Sequence, residues 1–220
     1  MALEHHTTAE ILAFYFPNTR LGLTPSGGVW HEETVGPVTL RTVTPDPEVT
    51  GATKLAWQRA LALLPPVGET PRPTIIFAPT TELFRQLTTS PGYLLAVTRG
   101  NQITLQPLLI LKRNGPIEPL LLHEFLHTLI ESQSTDKAPL WLREGLAEAL
   151  ADINSAYTPP TSSLATIEER LANSSSLAEY RQAHRDSAAV VRSLGHTYSL
   201  AVMRQWLRDG VPAQALGALR

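Results

Sequence analysis

The sequence predicts an α+β protein in which a small mixed β-sheet is followed by a helical part. Three observations carry this reading. Up to about residue 112, short stretches rich in β-branched residues alternate with helical spacing and are punctuated by Gly and Pro; after Asn114-Gly115-Pro116 the strand character is lost; and the helical part contains an apolar run with two histidines and a glutamate set into it. Residues 1–28 are expected to be an N-terminal appendage or linker. Residues 29–220 are expected to form one domain, with a sheet part over 29–115 and a helical part over 116–220.

In chain order, the apolar segment Ala9–Phe16 stops at Pro17, and "LTPSGG" reads as a turn. Val35–Val43 alternates apolar and polar residues, as a strand does. Ala52–Leu64 has helical spacing and ends at Pro65-Pro66. Pro73–Pro79 is a short buried strand, and "TTELFRQL" offers a threonine cap and a helix. "GYLLAVTRGNQITLQPLLIL" reads as two strands joined around Gly100-Asn101. Helices are then expected over "LLLHEFLHTLIE" (120–131) and "APLWLREGLAEALADI", with Pro119 and Pro139 in their first turns and Asp136 capping the second. Further helices are expected over Ser163–Ala172, Leu177–Leu194 and Tyr198–Arg208, with a short one after Pro212.

Composition removes several function classes. With 43% hydrophobic residues in 220, a real core is available. The 18 basic and 20 acidic residues, with no basic run, leave no electrostatic footprint for nucleic acid or an anionic membrane surface. No apolar stretch approaches the roughly 18 residues of a spanning helix, and the N-terminus lacks the order of a signal peptide. Cysteine is absent, so a metal would have to be held by His, Asp or Glu.

The "HEFLH" segment supplies such groups. His123 and His127 stand four residues apart, so a helix places both imidazoles on one face. Glu124 lies about 100° round the axis, badly placed to ligate the same ion but close enough to touch a water on it. This H-E-x-x-H spacing binds zinc through two neutral imidazoles, with the glutamate as general base. Leu121, Leu122, Phe125, Leu126, Leu129 and Ile130 surround the three polar groups, and burial there is costly unless something pairs with them.

A catalytic zinc takes three protein ligands and keeps one position open. An H-E-x-x-H-x-x-G-x-x-H site is excluded, because Ile130 and Gln133 stand where its glycine and third histidine belong. Glu144, in "WLREGLAEAL", is the best third ligand, since the loop Ser132–Lys137 lets its helix fold back beside the first. Asp136 and Asp152 are weaker candidates. A glycine inside a helix costs about 1 kcal/mol relative to alanine, so Gly145 points to a close backbone approach. Glu148, one turn beyond Glu144, is placed to accept a hydrogen bond from a ligand histidine.

"HEFLH" followed by "WLREGLAEAL" resembles the gluzincin metallopeptidases, in particular the peptidase MA-like group, over about Ile103 to Asp209. The resemblance implies a thermolysin-like architecture, one Zn2+ ion on His123, His127 and Glu144, Glu148 behind a ligand histidine, and Glu124 as catalytic base. It also implies that the strand before the zinc helix pairs with substrate, which maps onto Asn101, Gln102, Ile103 and Thr104. Relatives place an oxyanion-stabilising tyrosine ahead of a later helix. Here Leu194 stands at the literal match, leaving His196, the favoured choice, and Tyr198 as neighbouring donors. The segment by which related aminopeptidases hold a substrate's amino terminus is missing, so a peptide or protein substrate cleaved internally is implied.

A second resemblance joins "AEILAFYFPNTRLG" to the closing segment of the sporulation-stage-II protein D and LytB domain, which acts on peptidoglycan. It implies the peptidase end of a larger, exported or cell-envelope protein. Because Leu194 departs from the family pattern, the alternative expectation is a catalytically weak, zinc-stabilised binding or scaffold module of the envelope.

Overall fold

A computed structural model describes residues 29–152 and 157–217, so the expectations for the N-terminal 28 residues lie outside the described part. The chain is a mixed α+β protein with a five-stranded sheet early and helices late. The strands are β1 (His31–Val35), β2 (Val38–Thr42), β3 (Thr74–Phe77), β4 (Ala96–Arg99) and β5 (Gln102–Leu105). The helices are α1 (Pro47–Leu63), α2 (Thr81–Thr88), α3 (Leu108–Asn114), α4 (Ile117–Glu131), α5 (Leu140–Ala151), α6 (Leu164–Asn173), α7 (Leu177–Gly195), α8 (Leu200–Asp209) and α9 (Ala213–Gly217). No helix among the described residues is long and apolar enough to cross a membrane.

The chain divides into two units. One comprises the described residues up to Leu55 with Arg72–Glu118; the other comprises Ala56–Pro71 with Pro119–Arg220. The boundary therefore differs from a single cut near residue 115, because the second half of α1 and the loop after it group with the later helices.

In the first unit the sheet order is β1-β2-β3-β5-β4. The outer pairs β1/β2 and β4/β5 are antiparallel hairpins, turning at Gly36 (φ 62°) and Gly100 (φ 57°), both in the left-handed region that glycine enters without strain. The inner pairs β2/β3 and β3/β5 are parallel and need helical crossovers, which α1 and α2 provide. Ile75, Ile76, Ile103 and Leu105 are buried, as the inner strands of such a sheet require.

Three elements differ from what the sequence pattern predicts. β1, "HEETV", has one apolar residue and gave no strand signal; as an edge strand it needs none, and Glu32 faces Arg41 across the ladder at 3.0 Å. Helix α1 begins at Pro47, not Ala52, because Asp46 accepts hydrogen bonds from the backbone N–H of Glu48 (3.0 Å) and Val49 (3.4 Å), and Pro is at home in a first helical turn. "LLIL" continues as helix α3, not strand, with the Pro107 carbonyl accepting from Ile110 and Leu111. Four apolar residues in a row fit either structure, and here Leu111 is buried while Leu109 is exposed.

In the second unit, α4 buries Leu121, Leu122, Phe125, Leu126, Leu129 and Ile130, and Phe125 meets the edge of Trp57 at 5.0 Å between ring centroids. Ser163, Ser176 and Ser199 each cap the helix that follows, accepting from Thr166, Glu179 and Val202 respectively. The expected cap of α5 is not made: Asp136 is exposed, and Pro139 takes the cap position without a side-chain bond. Instead Glu168, on α6, accepts from the backbone N–H of Leu140 (2.9 Å) and Trp141 (3.0 Å) with its two carboxylate oxygens. A negative charge at a helix N-terminus adds to the capping bonds. Glu168→Ala is expected to lower unfolding free energy by about 1–2 kcal/mol in urea titrations, with Glu168→Gln milder.

Candidate metal centre

Three helices of the second unit bring the chemistry together. Helix α4 offers His123 and His127 one turn apart; α5 offers Glu144 and Glu148 one turn apart; α7 offers His184. Close packing of α5 on α7 makes this possible. A Cβ at Gly145 would overlap the Ser187 carbonyl oxygen and lie 2.6 Å from Val191 Cγ2, so only glycine permits the approach. Glu144 meets His184, and Asp152 meets Arg192 about two turns further along each helix, so α5 and α7 run in the same direction. The close approach expected at Gly145 is thus to α7, a partner that its own helix does not name.

The five side chains form a closed circuit. His123 Nε2 faces His127 Nε2 at 3.0 Å; His127 Nε2 is 3.2 Å from Glu144 Oε2; Glu144 Oε2 is 3.5 Å from His184 Nδ1; and His123 Nδ1 is 3.1 Å from Glu148 Oε2. His184 closes it, its ligand atom lying within 4.8 Å of those of His123 and Glu148. Burial is nearly complete at His127, His184 and Glu124, which are 8%, 8% and 6% exposed. Tyr180, one turn before His184, packs its ring 4.1 Å from the imidazole and limits its motion.

These groups could hold a metal ion, and the triad His123, His127 and Glu144 fits one. A tetrahedral ion about 2.0–2.1 Å from each ligand keeps the ligand atoms about 3.3 Å apart. The 3.0 and 3.2 Å separations about His127 Nε2 are close to that edge. Hydrogen bonding alone accounts poorly for the same atoms. One proton on His127 Nε2 cannot point at His123 and Glu144 together, and Glu144 Oε2 is buried without a well-directed hydrogen bond despite two imidazole nitrogens nearby. Donors crowded round a point and poorly bonded to one another are what a shared cation explains.

Without an ion, the electrostatics favour a proton at the same place. Burial disfavours a charged His127, but the Glu144 carboxylate beside it, with Glu124 and Glu131 adding, raises its pKa to about 9. That ion pair contributes its full stability below the unfolded-state value of about 6.5 and loses it as pH rises through 9. A cation and a proton therefore compete for this nitrogen. Burial would raise Glu144, yet His127, His184 and His123 hold it well below the usual carboxylate range. The hydrogen bond from His123 lowers Glu148 against the opposing effect of its burial. His184 is lowered by burial, which outweighs the pull of Glu144.

The other expected site residues lie elsewhere. His196 is exposed at the end of α7, about 18 Å along the helix from His184, with its ring 6.1 Å from that of Tyr157. Tyr198 packs edge-on against Trp206 at 4.9 Å, as a half-buried core residue does. Neither joins the cluster. Asp136 and Asp152, the weaker ligand candidates, are both exposed and outside it. Asn101 sits in the β4–β5 turn, and Gln102, Ile103 and Thr104 lie on β5, which is paired on both sides; β4 is the open edge on that side. Backbone pairing of a substrate with residues 102–104 therefore has no free edge to use.

His184 is the residue that sequence reasoning passed over. Tyr180, His184, Ser187 and Val191 share one face of α7, but that face meets α4 and α5 only through the packing of α5 on α7. No protein-family profile matches the chain, and neither the curated proteins nor the solved structures include a significant match to it.

Proposed function

We propose that the chain is a zinc-dependent peptidase of gluzincin type with thermolysin-like architecture, acting on internal bonds of peptide or protein substrates. The observation that carries this is the convergence of His123, His127 and Glu144 on one point with the buried Glu124 beside them. Two imidazoles and a carboxylate are the donor set of catalytic zinc. A bound zinc supplies a Lewis acid that polarises a carbonyl and lowers the pKa of water to about 7.

The side chains do the rest. Glu124 takes the proton of the attacking water and passes it to the leaving amine. Glu148 accepts from His123 Nδ1 and so fixes the tautomer that presents Nε2 to the ion. His184, the imidazole beside the triad that is no ligand in it, replaces His196 and Tyr198 as donor to the developing oxyanion, an interaction typically worth about 3 kcal/mol.

The N-terminal resemblance supports an exported or envelope setting and a peptidoglycan-associated substrate. The test is hydrolysis of casein and of peptidoglycan by the purified protein with and without a chelator. Cleavage that the chelator abolishes is expected. A protein that cleaves neither substrate, and whose melting temperature alone responds to chelation, is instead the zinc-stabilised binding module.

A further inference from the structure

We propose that Asn114-Gly115 is a site of spontaneous covalent modification, where water converts the Asn114 amide to aspartate or isoaspartate and thereby loosens the end of α3. Asparagine is a thermolabile side chain, most of all when glycine follows, because the next backbone nitrogen is the attacking group and no Cβ obstructs it. Asn114 is the last residue of α3 and is exposed, so its amide carbon is open to attack and one side of its backbone is free of the helix. Gly115 carries the chain away at φ 140°, a conformation that residues with a side chain rarely adopt.

The attacking nitrogen is uncommitted. Thr89 and Gly210 stand at the same position after α2 and α8, and their N–H groups close those helices on the carbonyls of Arg85 (2.8 Å) and Trp206 (2.9 Å). Among the described residues the Gly115 N–H makes no well-directed bond of that kind. One exposed hydrogen bond, from Asn114 Nδ2 to the Ile110 carbonyl at 2.9 Å, holds the amide. Once it opens, the Gly115 nitrogen bonds to Asn114 Cγ, and the amide nitrogen leaves as ammonia with the proton that the Gly115 nitrogen gives up. Water then opens the cyclic imide at either carbonyl, giving aspartate or, with the main chain rerouted through the side chain, isoaspartate. Either product puts a carboxylate at the C-terminal end of α3, where the helix dipole repels it, and removes the donor to Ile110.

Peptide mass spectrometry of the purified protein, fresh and after ageing at mildly alkaline pH, tests this, with isoaspartyl methyltransferase labelling to find the rerouted product. Conversion at Asn114 is expected to outpace that at Asn173, which is also exposed at the end of a helix but is followed by Ser174. Asn114→Gln should lose the isoaspartate label, and the aged wild-type protein should exchange its amide hydrogens faster over Leu108–Asn114 than the fresh protein does. An Asn114 that stays intact in the folded protein overturns the proposal, whether or not the urea-unfolded chain converts. So does an Asn173 that converts as fast. Unchanged hydrogen exchange in α3 after conversion overturns the loosening.

Discussion

Glu124→Gln is expected to retain its zinc and to lose about 10²–10⁴-fold in kcat, the usual contribution of a general base. Glu124 is buried on α4 within the electrostatic reach of His127, yet it stands outside the triad that fits an ion. The amide keeps the volume and much of the hydrogen bonding of the carboxylate but cannot accept the proton of the attacking water. Zinc content by elemental analysis, set beside turnover of a peptide substrate, separates the two roles. A Gln variant of unchanged turnover removes Glu124 from the chemistry, and one that loses its zinc makes Glu124 a ligand.

The second large effect is expected at Glu144→Ala, which should be purified without bound zinc and without activity. Its carboxylate is the single acidic member of the triad, and it is also the group that holds His127 protonated up to about 9 and lies against His184. Removing it takes from the buried His127 and His184 the carboxylate with the largest effect on both, leaving Glu124 and Glu131 to act on His127 and Glu148 on His184. Breaking a buried ion pair from one side usually costs about 3–5 kcal/mol, here moderated because His127 can shed its proton. Loss of the metal and a lower unfolding free energy, measured by dialysis and by urea titration, should therefore appear together. A variant with full zinc content shows that another residue supplies the third ligand.

The part of the site legible in the sequence was the part encoded within single helices. The spacing of His123 and His127 fixes one face of α4 whatever lies opposite, and Glu144 and Glu148 are likewise one turn apart on α5. Which side chain of α7 meets that face depends on the rotation of α7 about its axis. The Gly145–Ser187 approach decides that rotation, and no local pattern encodes it. His196 and Tyr198, the donors that the resemblance implies, therefore lie outside the cluster, whereas His184, three turns earlier on α7, lies within it.

The same reasoning covers the fold. Caps at Thr80, Ser163, Ser176 and Ser199 and the turn at Gly100 are local, and the structure contains them. The cap of α5 by Glu168 is tertiary, and so is the pairing that makes a strand of the charged segment "HEETV". Residues 102–104 read correctly as a strand, but their interior place in the sheet follows from which strands the crossovers bring alongside.

The most direct test is an anomalous difference map at the zinc edge from protein prepared without chelator. One strong peak between α4 and α5, bonded to His123 Nε2, His127 Nε2 and a carboxylate oxygen of Glu144, is the result expected at limiting zinc. A map with no peak there, in crystals whose zinc content has been checked, would contradict the account at its base.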